Sequence, residues 1–361
     1  MKKILFETHH LYYLPNFLPI IDSLRLRGGY EIFVSMPQYM QKRERDLFYN
    51  AANDIGLELI KTELEEDRIE NIKSKNFDVI IVGNVGQLTK IVSESTIAVM
   101  VYHGIGLKQS YYNDIDSRID IRAVESESRY KMLTAQGHQN LALTGYTKLD
   151  PLFSVNEQEK LVTKSILGID NHLPTLLYAP TFYPTSFDNL ASELEYLSSE
   201  FNIIIKLHNF SWFQQRFIYQ SKLAQEIESR SENVYLLDNS IYNIIPYYLT
   251  ADALISDISS TIFEFLPLNR PIIQVECLQL RMRHRIFKKR FMKKLDIHRM
   301  QELEFVYKVD SPLELFRSVS FACDHPEEMS DLRLEAHDYF LYKRDGNASE
   351  RLIYEIEKNL Q

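Results

Sequence analysis

The chain has 361 residues, 45% of them hydrophobic and 25% charged, with a formal net charge of -9. It therefore has material for two separately cored globular domains, and it is too acidic overall for a nucleic-acid partner to be expected. Only two cysteines, Cys277 and Cys323, exclude a disulfide framework and fit a reducing compartment.

Lys3 to Phe6 reads as a first strand, Phe17 to Leu26 as a helix stopped by Gly28-Gly29, and Glu31 to Ser35 as a second strand. Met1-Lys2-Lys3 is basic, but Ile4-Leu5-Phe6 runs at once into Glu7, His9 and His10, so no secretory leader is expected. No apolar run approaches a membrane span either, and the expected place is the cytoplasm, at most peripheral at the inner face of the cell membrane. Asp78 to Val82, Ile97 to Tyr102, Ile121 to Val124 and Leu141 to Thr144 continue the strands. Alternation of this kind predicts a parallel sheet covered by helices on both faces. After the break Asn171-His172-Leu173-Pro174 a second series of strands begins at Thr175, Phe201, Val234, Ala253 and Ile272.

Ligands bind beyond the carboxyl ends of strands in such sheets, so polar residues at strand ends are the candidates. His9 and His10 follow the first strand and are candidates for an acceptor contact. Adjacent histidines also suggest a metal, but no ligand set completes around them, and neither metal nor cofactor is expected. Val99 to Tyr102 ends at His103-Gly104-Ile105-Gly106 with Lys108 close behind, where glycines let a ligand approach the imidazole. Two further strands end in Pro180-Thr181 and in Lys206-Leu207-His208.

Leu254-Ile255-Ser256-Asp257-Ile258-Ser259-Ser260-Thr261-Ile262-Phe263-Glu264 reads as strand, tight turn, helix. Ser259, Ser260 and the first helical amides would converge on an anion such as phosphate, with Glu264 about one turn further on to accept ribose hydroxyls. A plain helix cap from Asp257 or Ser259 explains the same residues, and both readings stay open at this point.

His103-Gly104 with Lys108, Gly145-Tyr146-Thr147-Lys148-Leu149-Asp150, Tyr178-Ala179-Pro180-Thr181, Lys206-Leu207-His208 and Ser256-Asp257-Ile258-Ser259-Ser260 occur in the order seen in the CDP-glycerol glycerophosphotransferases. The chain resembles that family, the teichoic-acid primases and polymerases, from about Val99 to a closing motif at Asp345-Gly346-Asn347-Ala348-Ser349-Glu350-Arg351. The closing motif is shared with UDP-N-acetylglucosamine 2-epimerases. The chain departs from the usual family pattern at Ile105-Gly106, Thr147, Asn209 and Ile258.

The resemblance implies an α/β chain of GT-B type, two Rossmann-like domains with an interdomain cleft. Residues 1–170 would form the acceptor-side domain, 171–346 the nucleotide-donor domain, and 347–361 a helix returning toward the first. It implies transfer of glycerol phosphate, or a related polyol phosphate, from a CDP-linked donor to a hydroxyl of a glycan or lipid-linked acceptor, with release of CMP. His103 would be the general base; Thr181, Lys206, His208, Asp257, Ser259, Ser260 and Glu264 would hold the donor; His9, His10, Gly104 and Lys108 would meet the acceptor. Asp257, a carboxylate close to that anion, is expected to orient the loop or bind a hydroxyl rather than contact phosphate directly. A nucleotide-sugar glycosyltransferase or an epimerase-like enzyme would use the same diphosphate cradle, and a non-catalytic binder of anionic polymer would need only a basic surface. That surface is suggested by Arg281, Arg283, Arg285, Lys288, Lys289, Arg290, Lys293 and Lys294, which sit among aromatic and aliphatic residues, as membrane-facing cations do.

Overall fold

The strands form where short aliphatic runs are buried on both faces: β4 (Val79–Val82) reads VIIV and β9 (Asn202–Ile205) reads NIII, with every residue interior. The computed structural model describes residues 1–105, 116–154, 157–169, 172–286 and 303–360. It divides into two compact units. Of the described residues, the first takes in 1–105, 116–153 and 338–360, and the second takes in those from Ser154 to His337.

In the first unit β1 (Lys2–Glu7), β2 (Tyr30–Ser35), β3 (Glu58–Ile60), β4, β5 (Ile97–Met100), β6 (Ile121–Val124) and β7 (Leu141–Leu143) make a seven-stranded sheet in the order β3-β2-β1-β4-β5-β6-β7. All neighbours are parallel, with Ile4 beside Ile32 on one side and beside Val79 on the other. The helix Leu14–Arg27 starts with Pro15 in its first turn, where a missing N–H costs nothing, and stops at Gly28 with φ 72°. The last helix, Ala348–Asn359, belongs to this unit: Arg27 donates to Glu350 at 2.5 Å and to Glu357 at 2.7 Å, and Leu352, Ile353 and Ile356 are buried. Asp150 accepts the N–H groups of Ala348 (2.9 Å) and Ser349 (2.8 Å), capping that helix. The Gly145–Asp150 and Asp345–Arg351 motifs thus serve the fold here, since Arg351 also donates to the Thr144 carbonyl at 2.6 Å.

The second unit has six parallel strands, β8 (Thr175–Tyr178), β9, β10 (Val234–Leu236), β11 (Ala253–Ser256), β12 (Ile272–Val275) and β13 (Tyr307–Val309), in the order β10-β9-β8-β11-β12-β13. Two strands went unforeseen, β3 and β13; both are three-residue edge strands with only one neighbour and a mixed composition.

The unit boundaries correct the expected division at 170 and 347. The helix Glu157–Leu167 packs on Ile245–Thr250, and Lys160 reaches Asp252 at 3.3 Å, so this stretch is part of the second unit. The first unit resumes at Asp338, where the Tyr339 carbonyl accepts the Ser128 hydroxyl at 2.9 Å. Among the described residues no helix is long and apolar enough to cross a membrane.

Candidate active site

In the first sheet β1 lies between β2 and β4, so the winding direction reverses there and the loops leaving β1 and β4 flank a crevice. His103 enters from the neighbouring strand β5 and is half-buried. Its Nδ1 lies 3.0 Å from the Gly83 carbonyl. A carbonyl only accepts, so Nδ1 carries the proton and the basic lone pair of the neutral ring is on Nε2. Tyr13 stacks on this imidazole with centroids 4.2 Å apart and planes at 15°, and Tyr12 meets it edge-on at 5.9 Å.

His9, an expected acceptor contact, lies in the interior. It is 6% exposed, neither ring nitrogen has a hydrogen-bond partner among the described residues, and a Cβ on Gly86 (φ +50°) would overlap the imidazole. Burial above all, with help from His10, pushes its pKa down to about 4, so it is neutral at ordinary pH. His10 is more open: its Nδ1 lies 3.2 Å from Glu44, whose carboxylate also accepts the Leu11 N–H at 3.0 Å. Behind them Glu7, at the end of β1, pairs with Arg68 at 2.9 Å, and Arg68 also reaches Glu65 at 2.7 Å and Ser35 at 2.7 Å. Burial lifts the Glu7 carboxyl above its usual range in spite of that guanidinium. Gly104 is buried beside His103, and Lys108 lies outside the described residues.

In the second sheet the reversal falls between β8 and β11, and Thr181, His208 and the serine turn lie on the loops leaving β8, β9 and β11. Asp257 is fully buried. One oxygen accepts the Thr181 N–H at 2.7 Å, and the other accepts the Ser186 N–H and hydroxyl at 2.9 Å each. Of the two roles expected for Asp257, this geometry is that of a group orienting the loop: its carboxylate is a clamp that joins two loops. Tyr178 lies 2.8 Å from Ser186 at the back of the clamp, its hydroxyl kept protonated because burial, then the Asp257 charge, raises its pKa well above the usual value.

The helix after the turn is a single turn, Thr261–Glu264, followed by a short 3-10 stretch, so the expected dipole of a long helix is absent and only its first amides remain. Glu264 is also corrected: it is buried, and its two oxygens accept the hydroxyls of Tyr248 (2.9 Å) and Ser260 (2.8 Å) in place of a ribose. Ser260 has therefore committed its proton to Glu264. Ser259 has not; its oxygen takes only a long contact from the Thr261 N–H at 3.4 Å, which leaves it as the hydroxyl donor of the turn. The Thr181 hydroxyl likewise makes no protein hydrogen bond among the described residues.

His208 accepts the Phe210 N–H on Nδ1 at 3.1 Å, so its neutral ring carries the proton on Nε2, the reverse of His103. Its ring packs on Phe182 at 4.8 Å. Lys206 is buried and donates to the Leu207 carbonyl at 3.2 Å; the Asp238 carboxyl is held below its usual range, against the effect of burial, by hydrogen bonds from Ser240 and Ile241 and least by Lys206. Tyr13, Gly83, Ser186 and Tyr248 were missed in the sequence, although Gly83 lies directly behind a strand end. Of the basic run, Arg281 packs over the rings of Tyr183 (4.6 Å) and Phe217 (4.9 Å), and Arg285 bonds Leu280 and Gln279. Lys288 to Lys294 lie outside the described residues, as does the Arg283 side chain. Among the described residues no three His, Cys, Asp or Glu side chains group as a metal site.

Residues 80–358 match the family model described as CDP-Glycerol:Poly(glycerophosphate) glycerophosphotransferase. A teichoic acid glycerol-phosphate primase of Bacillus subtilis is 26% identical over 226 residues, 55% of this chain and 55% of that protein. A teichoic acid poly(glycerol phosphate) polymerase of Bacillus spizizenii is 30% identical over 143 residues, 36% of this chain. The chain thus spans 33% to 55% of the length of these two curated relatives. Among solved structures, the wall teichoic acid polymerase TagF superposes with a TM-score of 0.70 at 17% identity, over 99% of this chain and 88% of that one. A UDP-GlcNAc 2-epimerase from Neisseria meningitidis gives 0.63 at 14% identity, over 99% and 100%. These last two likenesses establish a shared two-sheet α/β fold.

Proposed function

The chain belongs to the CDP-glycerol:poly(glycerophosphate) glycerophosphotransferase family, and on that premise we propose that it transfers glycerol phosphate from CDP-glycerol to an acceptor hydroxyl and releases CMP. The observation that carries this reading is the tautomer of His103, whose Nδ1 proton is held by the Gly83 carbonyl, so that the basic lone pair of the ring is on Nε2. As the acceptor oxygen attacks the glycerol-bearing phosphorus, its proton passes to Nε2, and the bond from that phosphorus to the bridging oxygen breaks, the electrons leaving with CMP. His208, with its proton on Nε2, and the hydroxyls of Ser259 and Thr181 are the donors for the diphosphate and for the charge that grows on CMP. No step calls for a cation. The acceptor is a glycan or lipid-linked chain met on the side of His10, Gly104 and Lys108. Attachment to an anionic membrane surface through Arg281 to Lys294 is supported by the composition of that run.

The test compares CDP-glycerol, CDP-ribitol and UDP-sugars side by side, reading CMP or UDP release with and without acceptor. Acceptor-dependent CMP release from CDP-glycerol, reduced about 10²- to 10⁴-fold by His103→Ala with little change in donor binding, is the expected result. Turnover of a UDP-sugar in preference to both CDP donors would give the chemistry to the sugar-transferring or epimerase alternative, and wild-type turnover in folded His103→Ala would remove the base.

A further inference from the structure

We propose that Tyr13 is a positioning residue for His103, fixing the plane in which the imidazole meets the acceptor hydroxyl; the proposal rests on the assignment of His103 as the base. One hydrogen bond from Nδ1 to the Gly83 carbonyl sets the tautomer but acts as a hinge, about which the ring can still swing. A contact on the face of the ring limits that swing. The Tyr13 ring supplies it, lying 4.2 Å from the imidazole with the two planes at 15°. A face-on aromatic ring also favours the imidazolium that forms when the proton is taken.

Tyr13 is itself held on three sides. It is 3% exposed, its hydroxyl accepts from Asn84 Nδ2 at 3.2 Å, and Tyr12 packs edge-on against it at 4.9 Å and 85°. Gly83 closes the assembly: a Cβ at that position would lie 2.5 Å from Tyr13 Cδ2. The residue whose carbonyl hinges His103 is thus the one that must lack a side chain for the stacking ring to reach its place. Three chain segments, after β1, β4 and β5, converge on one ring.

The experiment measures CMP release from CDP-glycerol with an oligo(glycerol phosphate) acceptor. Tyr13→Leu keeps apolar volume and removes the ring face; kcat should fall about ten- to a hundredfold, as misplacement of a reacting group by about 1 Å does, while the KM for CDP-glycerol stays within about twofold. Tyr13→Phe, which keeps the face and loses the hydroxyl with its Asn84 bond, should restore most of the loss. Gly83→Ala should reproduce the Leu phenotype by displacing the ring without altering it, and carries the test if Tyr13→Leu does not fold. In a His103→Ala background Tyr13→Leu should add no further loss. Wild-type kcat in folded Tyr13→Leu or Gly83→Ala, equal losses in Phe and Leu, or full additivity with His103→Ala overturns the positioning role. A fully active His103→Ala protein overturns the base assignment itself, so the two failures are separable.

Discussion

Replacing Asp257 by Asn tests whether a buried carboxylate holds the nucleotide-side loops together. In the native chain its oxygens take three hydrogen bonds, from the Thr181 N–H (2.7 Å) and from the N–H and hydroxyl of Ser186 (2.9 Å each). An Asn side chain retains one acceptor oxygen and turns an NH2 toward an N–H, so at least one buried backbone donor is stranded, at a cost of about 1 to 3 kcal/mol. Asp257→Ala strands both amides, and the Ser186 hydroxyl alone has an alternative partner in Tyr178 at 2.8 Å; the expected loss doubles to about 2 to 6 kcal/mol. The chain's single tryptophan, Trp212, is buried in the second unit, so its fluorescence during denaturant unfolding reports that unit. The Asn variant should unfold at a lower denaturant midpoint with an unchanged slope, and CMP should bind more weakly because Thr181 has lost its tether. A midpoint and CMP affinity equal to wild type in both variants would refute the clamp.

His9, neutral because burial brings its pKa from 6.5 to about 4, should make the fold acid-sensitive. The unfolded chain takes up that proton first as pH falls below 6.5, so the stability is complete above that pH and lost progressively down to about 4. At roughly 1.4 kcal/mol per pH unit this amounts to about 3 kcal/mol; unfolding curves for wild type and His9→Gln at about pH 7 and about pH 4.5 should diverge accordingly, and parallel pH dependence would disprove the origin. Asp150→Ala removes the cap of the helix Ala348–Asn359 and should cost about 1 to 2 kcal/mol by thermal or chemical melting. An Ala variant as stable as wild type would show that the two amides find other partners.

The sheets were legible because each central strand is a run of buried aliphatics at regular intervals, as at Val79–Val82 or Asn202–Ile205. The edge strands Glu58–Ile60 and Tyr307–Val309 were not, since three residues with a single neighbour carry no period. Strand-end polar residues pointed to the right loops, but not to what each side chain does there. Asp257 reads as a loop-orienting or hydroxyl-binding group and Glu264 as a ribose contact; Ser260 bonds Glu264 one helical turn on, whereas the partners Thr181, Ser186 and Tyr248 are distant in sequence and only the fold brings them near. The same holds for His103, whose tautomer depends on a carbonyl 20 residues earlier.

The first unit is built from two widely separated runs, and this has a consequence for synthesis. A ribosome working from the amino end completes Ser154 to His337 before any of Asp338 to Leu360 has emerged. The second unit can therefore close while the first still lacks the helix whose Leu352, Ile353 and Ile356 fill its flank and whose Glu350 and Glu357 receive Arg27. Until then the nascent amino-terminal sheet keeps an apolar face open to solvent. The later part of the message finishes folding first, and the part made first must wait for the last.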